Sequence, residues 1–433
     1  MTGAAASHRV TYVVHMGDHS HAAAAAMRHH GMRAEVLPPS DDRSLALGLR
    51  LFGGRECLPC FLALGDVLRR CEEPDFDPAR SAFFFPTASG PCRFGQYSML
   101  LRDTLDRLGL GEVVVSSPSS KNAYQGFGER PRQLRMLAWQ GLVAVDLLVR
   151  LLLEHRPYEV ERGASEAAYR RGLERTMAAV EAGAGRGLAR ALAFTAGEFD
   201  AIVVVRTDRP VVGLVGEVYV RWNAYSNRQL IAEVERLGGE VLIASMAEVV
   251  DFHTFRMKAV ARVARRHRAV LSAALVYGYQ RATERRLLRT VAPALTRPDE
   301  APSRRIADAV APFYDAALGT EAVLSMGRAV EMARLGVHGI LNVLPFACMP
   351  GVIAAGMASR IRRDLDWVPW LDLPYDAQKE TNVRTRLEAF MHQAEQFRRR
   401  TGRAPLRTGA VSGDPGPLRR GRAPAGTPPV PRV

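Results

Sequence analysis

The sequence predicts an α/β protein: two parallel-sheet domains with helical insertions and a disordered basic C-terminal tail. Three observations carry the prediction. A strand, glycine turn, helix, strand pattern opens the chain and recurs near residue 211, and a helical, arginine-rich stretch separates the two occurrences. At 433 residues and 47% hydrophobic content, the chain is long enough for two or three domains with full cores.

Residues 9 to 16 read as a buried strand that ends at a glycine turn, His19 to His30 with its alanines as a helix, and Ala34 to Pro38 as a second strand. Phe61 to Cys71 has helical periodicity, Ala82 to Phe85 is a short apolar strand, Gly95 to Leu108 an amphipathic helix, and Val113 to Ser116 a further strand. Gly183 to Gly187 follows no strand and lacks a Lys-Ser/Thr pair, so it reads as a helix break rather than a phosphate loop. The second unit is expected to begin with a strand at Ala201 to Val205. Its core strand is Val211 to Val220, followed by a helix from about Ser226 to Leu237 and a strand at Glu240 to Ala244. Residues 254 to 295 are helical and basic, and Gly339 to Pro345 is the strand that delivers Cys348.

These readings divide the chain into a first α/β domain (1–132), a helical connection (133–200), a second α/β domain with a helical insertion (201–397) and an Arg/Pro/Gly-rich tail (398–433). The tail holds nine arginines and one aspartate, so it supplies +8 of the net +14 and leaves about +6 for the folded body. The high pI therefore reflects the tail and argues against nucleic acid as a partner, because no zinc-finger spacing or aromatic RNP string accompanies it. No apolar run of about 18 residues is uninterrupted, which argues against a membrane span. Five cysteines without a secretory leader point to a reducing cytoplasm.

Three of those cysteines lie in Gly/Pro-marked loops: Gly54-Arg55-Glu56-Cys57-Leu58-Pro59-Cys60, Gly90-Pro91-Cys92-Arg93-Phe94-Gly95 and Pro345-Phe346-Ala347-Cys348-Met349-Pro350. Three thiolates from distant loops suit an iron–sulfur cube held by three corners, with one iron open. Cys57 and Cys92 fall just before predicted helices, where amides and the helix dipole favour thiolates. Cys57-Leu58-Pro59-Cys60 leaves Cys60 as a candidate fourth ligand. Zinc would need a second CxxC or a nearby His pair, and neither follows. Cys71, in Arg-Arg-Cys-Glu-Glu, lacks such a loop and is incidental. The histidines at 8, 15, 19, 21, 29 and 30 read as solvated or capping residues. No P-loop and no Gly-x-Ser-x-Gly elbow supports ATP chemistry or serine hydrolysis.

Met16-Gly17-Asp18-His19-Ser20, Leu37-Pro38-Pro39-Ser40-Asp41, the Gly54 to Pro59 loop, Phe85 to Tyr97, Gly216-Glu217-Val218-Tyr219-Val220-Arg221, Pro345 to Gly351 and Pro369 to Asp376 with Glu380-Thr381-Asn382 together resemble the 2-hydroxyacyl-CoA dehydratase superfamily. The branch most similar is the dehydratase-like module of activase-related proteins, over about residues 9 to 397. The resemblance implies flavodoxin- or Rossmann-like domains and an oxygen-sensitive [4Fe-4S] cluster bound by Cys57, Cys92 and Cys348. It also implies anaerobic, radical hydro-lyase chemistry. An ATP-dependent iron–sulfur activator would supply a low-potential electron, and the thioester carbonyl of an acyl-CoA would accept it as a ketyl radical. A homologous subunit or a second copy would complete the assembly.

Beyond the ligands, Glu56, Arg93 and Tyr97 are the candidate catalytic residues: Glu56 as the nearest carboxylate for proton handling, and Arg93 and Tyr97, with Gln96, as hydrogen-bond donors to cluster sulfur or substrate. Asn122, Tyr124 and Gly126 form a candidate cleft wall, and Glu217 and Arg221 are expected to pair with each other. The alternative function is a non-catalytic iron–sulfur relay or scaffold subunit, which a fourth ligand at Cys60 would favour.

Overall fold

Strands covered by helices on both faces must be apolar on both faces, and β5 (Val211–Gly216) and β7 (Gly339–Pro345) are buried at every residue. The computed structural model describes residues 8–51, 56–87, 92–118, 127, 129–297, 301–315, 321–378 and 382–402. Within them lie two all-parallel four-stranded sheets among many helices, an α/β fold. The first sheet runs β2-β1-β3-β4, from β1 (Val10–Val13), β2 (Arg33–Val36), β3 (Ser81–Phe84) and β4 (Val114–Ser116). The second runs β6-β5-β7-β8, adding β6 (Glu240–Ile243) and β8 (Trp370–Tyr375). Counted within each half, both orders are 2-1-3-4, so the predicted repetition is real. In such sheets ligands collect outside the carboxyl ends of the strands, where the order reverses: between β1 and β3, and between β5 and β7.

Gly216 closes β5 at that reversal. Its φ is +117°, and a Cβ there would lie 2.0 Å from the carbonyl oxygen of Val343 on β7. Only glycine satisfies both demands. Gly216→Ala is expected to cost about 2–4 kcal/mol in urea unfolding, since backbone must move to admit the methyl group.

Helix Pro131–His155 lies against helix His19–His29 of the first half and against β6 of the second. It is the core of the domain junction. By length and composition the segment Pro131–Tyr158 is apolar enough to cross a membrane, yet 78% of its most apolar window is buried, as expected of the central helix of a globular protein. Asp146, on this helix, is buried and binds His19 Nε2 at 3.0 Å while accepting the amides of Met246 and Ala247 at 2.9 and 2.8 Å. One carboxylate thus links helices of both halves.

Several expectations are corrected. Ala201 to Val205 is not a sheet strand: helix Gly185–Asp200 runs into it, Val203 and Val205 are exposed, and Val204 makes only an isolated antiparallel bridge to Glu159. Val211 to Val220 is a strand only to Gly216, because Glu217 caps a short helix, Val218–Trp222. The following helix begins at Leu230 rather than Ser226. The tail boundary moves as well: Arg398, Arg399 and Arg400 end helix Val383–Thr401, where Arg398 and Arg399 pair with Glu395 at 2.8 and 2.6 Å. Positions 403–433 lie outside the described residues, as do Gly54, Arg55, Gly90, Pro91, Asn122, Tyr124, Gly126, Glu380 and Thr381.

Candidate functional site

Each of the three loop cysteines starts a helix. Cys57 is the N-cap of helix Leu58–Cys71, Cys92 of a 3-10 turn at Arg93–Gln96 that leads into helix Tyr97–Arg107, and Cys348 of helix Met349–Arg363. Cys92 follows β3 and Cys348 follows β7, so they occupy matching places in the two sheets. The residue before Cys348 is strained: Ala347 has φ +56°, a left-handed conformation that turns the chain off β7 into the helix.

The thiols converge electrostatically. Cys92 feels Glu321, Glu217 and Cys348, while Cys348 feels Glu217, Glu321 and Cys57. Burial is the largest influence on each and pushes Cys92 and Cys348 up to about 12; Cys57 also rises, chiefly through burial. The amides of Cys60, Phe94 and Gly351 act in the opposite direction on Cys57, Cys92 and Cys348 respectively. From the ordinary value of 9.0 to 12 is about 4 kcal/mol against the thiolate, whereas a helix N-terminus contributes about 0.3–1 kcal/mol in its favour. Burial wins, so the free thiols stay protonated at neutral pH, and a bound cation is what would hold them as thiolates.

Spacing discriminates between kinds of cation. A tetrahedral zinc ion holds its sulfurs about 3.8 Å apart. Among the described residues the one group of three or more His, Cys, Asp or Glu donors within 4.8 Å of one another is His15, Asp18 and His21, so the three thiols do not all lie within that distance of one another. A polynuclear cluster bridges wider gaps with its own atoms, and cysteine thiolates are the donor type such a cluster takes.

Cys60 is separate. It is 2% exposed and packs in the main hydrophobic core, on the first turn of the helix that Cys57 caps. Cys71 ends the same helix, about 20 Å from Cys57 at 1.5 Å per residue, and cannot share the site.

The candidate catalytic residues are all at the site's edge. Tyr97, buried, places its hydroxyl 2.7 Å from Cys57 Sγ. Arg93 is exposed and its charge reaches both Cys57 and Cys60, as does that of Glu56 to Cys60. Tyr97→Phe is expected to leave the fold intact at a cost of about 1 kcal/mol, the worth of one hydrogen bond. It should also slow alkylation of Cys57 several-fold at fixed pH, because the Tyr97 hydrogen bond holds that thiol's pKa down and its loss lets the pKa rise; peptide-resolved mass spectrometry with iodoacetamide reads this.

Glu217 and Arg221 do not form the expected pair. The Glu217 carboxylate accepts the amides of Tyr219 and Val220 at 3.0 and 2.8 Å, an N-cap, while Arg221 turns inward to Glu248 at 3.4 Å. Glu321, on the first turn of helix Glu321–Arg334, went unrecognised in the sequence: no motif surrounds it, and only the fold brings it to the thiols. Burial and the neighbouring Glu217 charge push its carboxyl up to about 7. Nor are the histidines mainly solvated: His19 is buried on Asp146, and burial lowers the pKa of His15 and His21. Comparison of the chain with family models, curated proteins and solved structures gave no match.

Proposed function

We propose that this protein is the cytoplasmic iron–sulfur component of a 2-hydroxyacyl-CoA dehydratase-like system, a hydro-lyase subunit. The observation that carries the reading is that Cys57, Cys92 and Cys348 each cap a helix and feel one another's charge, with Cys92 and Cys348 on loops after the matching strands β3 and β7. A [4Fe-4S] cluster on these residues would supply one-electron chemistry and an iron open to substrate oxygen. The fourth nearby thiol, Cys60, faces the core, which favours the open, three-ligand form over a closed relay.

The chain's own residues have definable tasks. Tyr97 orients the Cys57 sulfur, and the amides of Phe94 and Gly351 aim at the other two. Glu321, titrating near neutrality among the thiols, is suited to hold or pass a proton. The positively charged Arg93 borders the site from outside.

The reading assigns the acyl-CoA to a cavity that none of the three cysteines lines. This cavity of about 800 Å³ opens against Phe84, the last residue of β3, with Met27, Trp139 and Leu142 in its wall and Arg132, Arg135 and Arg268 around it. Apolar walls suit an acyl chain, and guanidinium groups suit phosphates. The partners of the reading are an ATP-dependent iron–sulfur activator and a homologous subunit or second copy.

Anaerobic purification tests it. The expected product is brown, with about four irons and matching sulfide per chain. A colourless protein that also fails anaerobic reconstitution overturns the proposal.

A further inference from the structure

A second donor group lies at the carboxyl end of β1, apart from the thiols. His15 closes the strand extension, Asp18 stands at the N-cap of helix His19–His29, and His21 lies in that helix's first turn. One donor atom from each falls within 4.8 Å of the other two, and His15 Nε2 is 4.0 Å from Asp18 Oδ1.

Asp18 behaves unlike an ordinary cap. An aspartate at this position normally accepts an amide of the first turn, but its side chain makes no such bond. One oxygen instead accepts the Tyr169 hydroxyl at 2.5 Å, while the other faces His15. A carboxylate steadied through one oxygen and free at the other is the usual arrangement around a ligated metal. The His15 imidazole is similarly placed: no other residue partners its Nδ1, and its Nε2 is the atom directed at Asp18.

The turn is held from several sides. Met16 donates its amide to Ser20 Oγ at 2.9 Å, and Ser20 Oγ donates to the Val14 carbonyl at 2.9 Å. Gly17 has φ +87°, and a Cβ there would approach the Trp222 carbonyl oxygen to 3.2 Å. Beside the donors lies a cavity of about 380 Å³, lined by His15 and Asp18 on one side and by Trp222, Asn223 and Tyr225 of the second half on the other. His19, whose Nδ1 is buried without a hydrogen-bond partner, lines the same cavity.

We propose that His15, Asp18 and His21 bind a divalent first-row transition-metal ion, with its open coordination positions facing this cavity. Two histidines and one carboxylate are a donor set that suits such ions and leaves sites for an exogenous ligand. A tetrahedral ion with bonds of about 2.1 Å holds nitrogen and oxygen ligands about 3.4 Å apart, so small side-chain rotations close the site. The proposal does not depend on the cluster.

Cobalt(II) is the probe, added to the full-length protein and to a variant with Cys57, Cys92 and Cys348 replaced by serine. Equilibrium dialysis and visible absorption at neutral pH report the outcome. Both proteins should take up one cobalt at the histidine site, and the serine variant should show no thiolate-to-metal charge-transfer band. His15→Ala and His21→Ala should each weaken binding about 100-fold or more, and Tyr169→Phe about 10-fold, as expected for an outer-shell partner. His29→Ala, whose ring contacts the Glu181 carbonyl, should change nothing. Circular dichroism checks folding, and because His21 is only partly buried its variant decides the matter if His15→Ala unfolds. Failure of the serine variant to bind one equivalent, or binding in it that survives His21→Ala, overturns the proposal.

Discussion

Replacing Cys348 by serine is expected to reduce the iron bound after anaerobic reconstitution from about four per chain to less than one, while the protein remains folded. The side chain is partly exposed and takes no part in the core, so the substitution changes one sulfur to oxygen with little effect on packing. On the proposed reading its consequence falls on the cluster, because Cys348 would be the one ligand from the second sheet and two thiols of the first would not hold three corners. Cys60→Ser is the control. Its sulfur lies in the core, so the expected result is full iron content with some loss of stability from placing a hydroxyl among apolar neighbours. Iron and sulfide assays with circular dichroism separate the two effects.

Replacing Glu248 by alanine should destabilise the protein by about 3–5 kcal/mol, among the largest effects available to one substitution. Glu248 is buried between the guanidinium groups of Arg221 and Arg328, each 3.4 Å away, and all three side chains are no more than 3% exposed. Without the carboxylate, two buried cations face each other. Arg221 also donates to the carbonyls of Gly216 at 3.4 Å and Ser245 at 3.2 Å, so the loss would loosen the end of β5 from which Glu217 is presented. Urea denaturation gives the magnitude. Glu248→Gln should recover part of it, since the amide oxygen still accepts one guanidinium hydrogen bond.

What could be read in the sequence was what local chemistry determines. β7 was legible to its last residue because a buried parallel strand is a continuous apolar run, here bounded by Gly339 and Pro345. The thiol loops were legible because glycine and proline mark breaks in the chain, after strands β3 and β7 for Cys92 and Cys348 and after helix Asp42–Leu51 for Cys57, and the helices that Cys57 and Cys92 begin were visible as periodicity. Long-range pairing was not. Ala201 to Val205 has the composition of a strand, yet it joins neither sheet, and Val203 and Val205 remain in solvent. Glu321 reaches the thiols only through the packing of helix Glu321–Arg334, and His19 meets Asp146 across 127 positions of sequence. Arg221 was assigned to Glu217 by proximity along the chain; the helix cap drew Glu217 to its own amides and left the guanidinium for Glu248.

The central claim is a cluster held by three cysteines with one iron open, and Mössbauer spectroscopy of protein reconstituted anaerobically with isotopically enriched iron tests it most directly. The prediction is a three-to-one division of the iron signal, with the minor component shifted by added acyl-CoA and the major one unchanged. Four equivalent irons, indifferent to acyl-CoA and undisturbed in Cys348→Ser, would contradict it.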